Sequence, residues 1–194
     1  APQHLNFRKQ RSMKTALLVI DVQMAFVHDD AQGAARSCPQ ASENIATLLD
    51  AYRQRGDEVI HIHHHGLDKD DPFHADAPGA AVQPFAAPTD GETVVIKNVA
   101  SAFVGTDLDK DLRAKGIERL VICGATANHC AESTARSAGN MGYETYYVSD
   151  AVWTYDATGP DGKDHRAEDI HSVTLANLHG EFATVVPAAQ AVQL

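Results

Sequence analysis

Several things are scarce in this 194-residue chain, and each scarcity excludes a class of function. There are only three cysteines, Cys38, Cys123 and Cys130. That number is too small and too odd for a disulfide framework, which favours a reducing compartment, so a cytoplasmic location is expected. No Cys-x-x-Cys pair occurs, and a turn separates Cys123 from Cys130, so thiol redox chemistry has no motif. Cations are outnumbered, 16 Lys and Arg against 26 Asp and Glu, for a formal net charge of −10. Neither nucleic acid nor an anionic membrane is therefore an expected partner. Apolar runs are no longer than a strand, so none would span a bilayer. The first residues lack the apolar segment of a signal peptide. No Gly-x-Gly-x-x-Gly follows a strand, which leaves a dinucleotide site unsupported. Repeats, low-complexity stretches and internal domain boundaries are also missing.

What is present suits one domain. The chain is 44% hydrophobic, enough for a sizeable core. Residues 1–12 read as foreign to the fold, either a tag remnant or a loose arm, with a single domain over 13–194. Strands are expected at 15–21, 58–64, 93–97, 119–123, 144–149 and 182–186. Helices are expected near 40–55, 107–115, from Cys130 towards Gly142, and near 165–178, with Gly56, Gly116, Gly142 and Gly180 as stops. Two long loops, 65–92 and 150–163, remain; loops of that length in compact domains are usually functional. The β/α alternation predicts an α/β fold, a three-layer α/β/α Rossmann-like sandwich around a mostly parallel sheet of about six strands.

Three strands end in reactive side chains. The apolar run Thr15–Ile20 delivers Asp21. The β-branched run Thr93–Ile96 delivers Lys97. The run Arg119–Cys123 leads through small residues into a helix that opens with Cys130. Each residue alone has an ordinary explanation: a turn-capping Asp, a solvated Lys, a buried free Cys. In an open parallel sheet, however, all three strand ends meet at one crevice. A thiol in the first turn of a helix meets unpaired N–H groups and the helix dipole, which favour a nucleophilic thiolate, and a nearby Lys is expected to lower its pKa further.

These segments resemble a known family. Asp21-Val22-Gln23 with Phe26, Lys97 with Ser101-Ala102-Phe103, and Gly124-Ala125-Thr126-Ala127-Asn128-His129-Cys130 with Thr134 are similar to the isochorismatase-like cysteine hydrolases. That superfamily includes nicotinamidases, N-carbamoylsarcosine amidases and maleamate amidases. The resemblance runs from about Met13 to Val186 and takes in Thr158-Gly159-Pro160-Asp161-Gly162. It implies an Asp21–Lys97–Cys130 triad that cleaves a small-molecule amide through a thioester, without a cofactor. It also implies a cis peptide at Ala125–Thr126 and a homo-oligomer, dimer or larger. Family members acting on isochorismate itself generally lack the Cys, so that substrate is disfavoured. For the tetrahedral oxyanion, the N–H groups of Thr126 and Cys130 are the candidate donors. Gln23 is a candidate neighbour of Asp21. Phe26 and Phe103 match pocket-lining positions. Trp153 and Tyr155, placed on the second long loop, are candidates for stacking on substrate or on a neighbouring subunit.

The histidines His61, His63, His64 and His65 suggest a metal. Strand alternation puts His61, His63 and His65 on one face and His64 on the other. Nicotinamidases hold a metal with an Asp-x-His at this strand end, where this chain reads His63-His64-His65, with His74 and Asp71 nearby. Lacking that carboxylate, the chain is expected to bind no metal, and His64 or His65 to hydrogen-bond substrate instead. The rival readings are a metal-assisted, nicotinamidase-like hydrolase and a non-catalytic scaffold that keeps the fold.

Overall fold

Residues 13–194 are described by a computed structural model; residues 1–12, and with them the expectation of a remnant or arm, lie outside the described residues. Six strands form one all-parallel sheet: β1 (Thr15–Ile20), β2 (Glu58–His64), β3 (Thr93–Lys97), β4 (Arg119–Ala125), β5 (Glu144–Trp153) and β8 (Thr184–Val186), in the order β3-β2-β1-β4-β5-β8. Between them β6 (Ala157–Thr158) and β7 (Asp164–His165) make a small antiparallel hairpin.

The sheet is sandwiched because its central strands are apolar on both faces, as a parallel strand covered by two helix layers must be. Every residue of β1 is buried. Leu18 and Ile20 face one core, built with Leu108 and Leu112 of α3 (Leu108–Ala114) and with Ala131, Ala135 and Ala138 of α4 (Cys130–Asn140). Leu17 and Val19 face the other, built with Ile45, Leu48, Leu49 and Tyr52 of α2 (Ala41–Arg55) and with Phe26 of α1 (Met24–Ala31). Two further helices, α5 (Ala167–Leu178) and α6 (Ala188–Ala191), complete the layers.

The expected three-layer fold is present, with three local differences. Helix α1 was not foreseen: it is short and buries only Ala25 and Phe26, too few positions to show a helical period. The stretch 150–163 is not one loop. Strand β5 shifts register between Ile122 and Gly124 of β4, so that Ile122 pairs with Tyr147 while Gly124 pairs with Val152. The polar Ser149-Asp150 falls inside this bulge, and the strand resumes through Trp153. Asp150 is used there as a cap, its carboxylate accepting the Ala188 N–H at 2.7 Å. Lastly, β6 and β7 pair across the turn that carries Gly159 and Gly162.

Strand order matters most for function. Neighbouring β1 and β4 lead off in opposite directions across the sheet, a topological switch point, and ligands of such folds bind outside the carboxyl ends of the strands there. Among the described residues, no helix is long and apolar enough to cross a membrane.

Candidate active site

Asp21 follows β1 directly, and its amide continues the strand ladder by donating to the Ile62 carbonyl at 2.8 Å. Its φ of 53° turns the chain out of the sheet at this point, a left-handed conformation that Asp tolerates better than most residues. Lys97 is the last residue of β3, two strands away. To reach Asp21 its side chain crosses the end of β2, and its Nζ donates to Asp21 Oδ2 at 3.0 Å. Both groups are buried, Lys97 at 0% and Asp21 at 2% exposure.

On the other side of β1, β4 ends in a turn that requires glycine at 124. Gly124 has φ +119°, and a Cβ there would stand 2.0 Å from the Ile20 carbonyl oxygen. The peptide between Ala125 and Thr126 is cis. The Ala127 amide donates to the Trp153 carbonyl at 2.7 Å, and the His129 and Ala131 amides donate to the Thr126 carbonyl. Among the loop and turn hydrogen bonds of the described residues, none uses the amides of Thr126 or Cys130. Neither amide has a backbone acceptor there, Thr126 in the turn before α4 and Cys130 in its first turn. The thiol of Cys130 interacts with both Asp21 and Lys97. Donor atoms of Asp21, His64 and Cys130 lie within 4.8 Å of one another. Asp21 Oδ1 is buried without a hydrogen-bond partner, which leaves it open to the thiol proton.

The electrostatics correct one expectation. Burial pushes the Cys130 thiol up to about 11, the Asp21 carboxylate adds to the rise, and the Lys97 ammonium only partly offsets both. That direction is opposite to the lowering expected from its place on a helix N-terminus, and it favours the protonated thiol at neutral pH. Burial likewise raises Asp21 to about 6, against the lowering influence of Lys97 and Cys130. A carboxylate with that pKa is ionised at neutral pH and basic enough to take a proton during attack.

The histidines separate. His61 is buried and its Nε2 lies 2.8 Å from Glu92 Oε1. Although burial opposes it, Arg53, the Thr89 amide and His61 together hold Glu92 down to about 2. His63 stands edge-on to His61 at 6.3 Å, and burial lowers it to about 4. His65 is half-buried, with its backbone tied to the Lys97 carbonyl and to the Asn98 side chain. Only His64 joins the site: its Nδ1 is 2.9 Å from Lys97 Nζ. A metal held as in nicotinamidases fits these residues poorly. His61 is taken by Glu92, and the Asp21, His64 and Cys130 donor set already surrounds the Lys97 ammonium, which would repel a metal cation.

The remaining expectations divide. Gln23 meets Asp21 through its backbone, its N–H donating to the Asp21 carbonyl at 2.8 Å, while its side chain turns elsewhere. Its fully buried amide clamps the end of β2, accepting the His64 N–H and donating to the His64 and Ala80 carbonyls, all at 2.9 Å. Phe26 packs edge-on against Phe73 and Trp153 and stacks with Tyr155 at 6.0 Å. Trp153 is fully buried at the end of β5, because the bulge carries the strand past the point where the polar residues had suggested a loop; it supports Phe26 from behind and has no surface for substrate or subunit. Tyr155 is half-buried, and its hydroxyl donates to Asp30 at 3.0 Å. Phe103 packs against the α4-side core, its ring centroid 5.9 Å from that of Tyr143. Its segment is fastened to α4 by the Ala102 N–H donating to Thr134 Oγ1 at 3.0 Å, which gives Thr134 a structural use that spacing alone did not reveal.

The family model for the isochorismatase domain matches residues 15–190. The chain belongs to the isochorismatase family. The isochorismatase family protein YrdC of Bacillus subtilis is 37% identical over 177 residues, covering 91% of this chain and 94% of that one. The maleamate amidohydrolase of Pseudomonas putida is 28% identical over 197 residues, covering 93% and 86%. A crystal structure of an isochorismatase-family protein from Chromobacterium violaceum superposes with a TM-score of 0.88 at 38% identity, covering 93% of this chain and 92% of that one.

Proposed function

We propose that the chain is a cysteine hydrolase that cleaves a small-molecule amide through a thioester on Cys130, with Asp21 as proton carrier and Lys97 as fixed cation. The observation that supports this reading is the buried Lys97–Asp21 contact of 3.0 Å beside a thiol in the first turn of α4. Membership in a family that includes a maleamate amidohydrolase points the same way.

In the proposed cycle the Cys130 sulfur attacks the amide carbonyl carbon while its proton passes to Asp21, since the thiol is too weakly acidic to ionise beforehand. The carbonyl oxygen becomes an oxyanion, received by the N–H groups of Thr126 and Cys130. Losing one such donor typically costs roughly 10²–10³ in turnover. Asp21 then protonates the leaving nitrogen as the C–N bond breaks, and a thioester remains. Water attacks the thioester and gives its proton to Asp21, and the thiolate leaves as the acid product forms. That proton returns to the sulfur, restoring the resting thiol. Lys97 offsets negative charge on Asp21 and sulfur throughout. Phe26 and Phe103 are the proposed apolar walls for the substrate.

The test is a panel of small amides, including carbamoyl compounds, nicotinamide and dicarboxylic monoamides, scored by ammonia release. The reading expects at least one to be hydrolysed by the native chain and not by Cys130→Ala. Hydrolysis that survives Cys130→Ala at the native rate would reject it.

A further inference from the structure

The sequence left His64 or His65 to hydrogen-bond substrate, and the structure sets His64 against Lys97. His64 and Lys97 are register partners on neighbouring strands. The Lys97 side chain passes His64 on its way to Asp21. An ammonium has three donors and no acceptor. Here one points to Asp21 Oδ2 at 3.0 Å and one to His64 Nδ1 at 2.9 Å, and the Cys130 thiol is the third neighbour. Lys97 is fully buried, so loss of an acceptor leaves one of its donors short of a partner.

His64 is itself held in place. Gln23 binds both its backbone N–H and its carbonyl. Phe73 packs on its ring at 5.7 Å. Because an ammonium can only donate, the Nδ1 that meets it at 2.9 Å is the acceptor. Burial and the Lys97 charge lower its pKa, consistent with a neutral acceptor.

We propose that His64 is a positioning residue that, through Nδ1, aims the Lys97 ammonium at Asp21 and Cys130. The inference rests on the Asp21–Lys97–Cys130 reading above. Without this acceptor the lysine is free to rotate away, and the thiol loses the cation that partly offsets its raised pKa.

The test needs no substrate. Native chain, His64→Asn, His64→Leu and Lys97→Met are treated with iodoacetamide at pH 8.5, and modification of Cys130 is followed by peptide mass. Fully buried Cys123 serves as the internal report of unfolding, and only molecules unmodified there are counted. Asparagine can offer its Oδ1 close to the former Nδ1 position, whereas leucine offers no acceptor. The expected result is a rate within about twofold of native for His64→Asn. For His64→Leu and Lys97→Met it is about tenfold slower, the change in thiolate fraction for one unit of pKa. If leucine unfolds the chain, His64→Ala with and without added imidazole replaces it, and imidazole is expected to restore the rate. A native rate in His64→Leu, or in His64→Ala without imidazole, alongside a slowed Lys97→Met overturns the role of His64 and leaves the triad standing. An equal loss in His64→Asn and His64→Leu also overturns it, because the acceptor would not be what matters. A native rate in Lys97→Met refutes the tuning of the thiol by Lys97, and the inference falls with that part of the triad reading.

Discussion

Replacing Asp21 by asparagine should change how stability depends on pH, in a direction opposite to that of most carboxylates. Burial raises Asp21 from 3.8 to about 6 in the folded chain. A raised folded pKa means that the native state binds the proton more tightly than the unfolded state. The stabilisation is fully present below the unfolded pKa and is lost as pH rises through the folded one. The gap is roughly 2 pKa units, and at about 1.4 kcal/mol per unit the loss between pH 3.5 and pH 7 is about 3 kcal/mol. The asparagine side chain cannot titrate, so the D21N chain escapes this loss. Costs that do not vary with pH, including the unpaired Lys97, cancel when the two pH curves are subtracted. Urea unfolding of native and D21N chains at half-unit steps should therefore show the difference, variant minus native, rising by about 3 kcal/mol from pH 3.5 to pH 7, most steeply between 4 and 6. The acid limb of kcat/KM on a hydrolysed amide should fall at the same place, about pH 6, because Asp21 must be ionised to act as base. A flat difference, or one that falls with pH, would mean that Lys97 outweighs burial and that Asp21 is an ordinary or depressed carboxylate.

Two further outcomes follow from the fold. Gly124→Ala places a Cβ against the Ile20 carbonyl at a φ of +119°, so the variant should lose about 4 kcal/mol or more by urea unfolding or fail to fold; native-like stability would show that the β1–β4 contact yields. Light scattering should give at least twice the 20.8 kDa chain mass, as the resemblance implies for a closed symmetric assembly, and a monomer at micromolar concentration would reject that expectation.

Much of the site was legible because parallel strands announce themselves as apolar runs, and their C-terminal residues share one edge whatever the strand order. That is why Asp21, Lys97 and Cys130 could be named before their distances were known. The role of His64 could not be read this way. It follows from the order β3-β2-β1-β4, which puts the end of β2 beneath the path of Lys97, and order is a long-range property. Trp153 was misplaced for a local reason: Ser149-Asp150 looks like the end of a strand, but the bulge absorbs both residues and buries the indole. The thiol was misjudged because helix position was weighed without the desolvation that packing Cys130 beside a buried carboxylate imposes.

A covalent intermediate at one sulfur is the centre of the proposed chemistry, and mass spectrometry reads it directly. An amide from the hydrolysed set is mixed with the chain, quenched in acid within the first turnovers, and digested. The expected result is a mass increase equal to the acyl fragment, mapped to the peptide containing Cys130, removed by hydroxylamine and missing in Cys130→Ala. Turnover with no acyl mass on Cys130 under conditions where deacylation is rate-limiting, or an adduct on another residue, would contradict it.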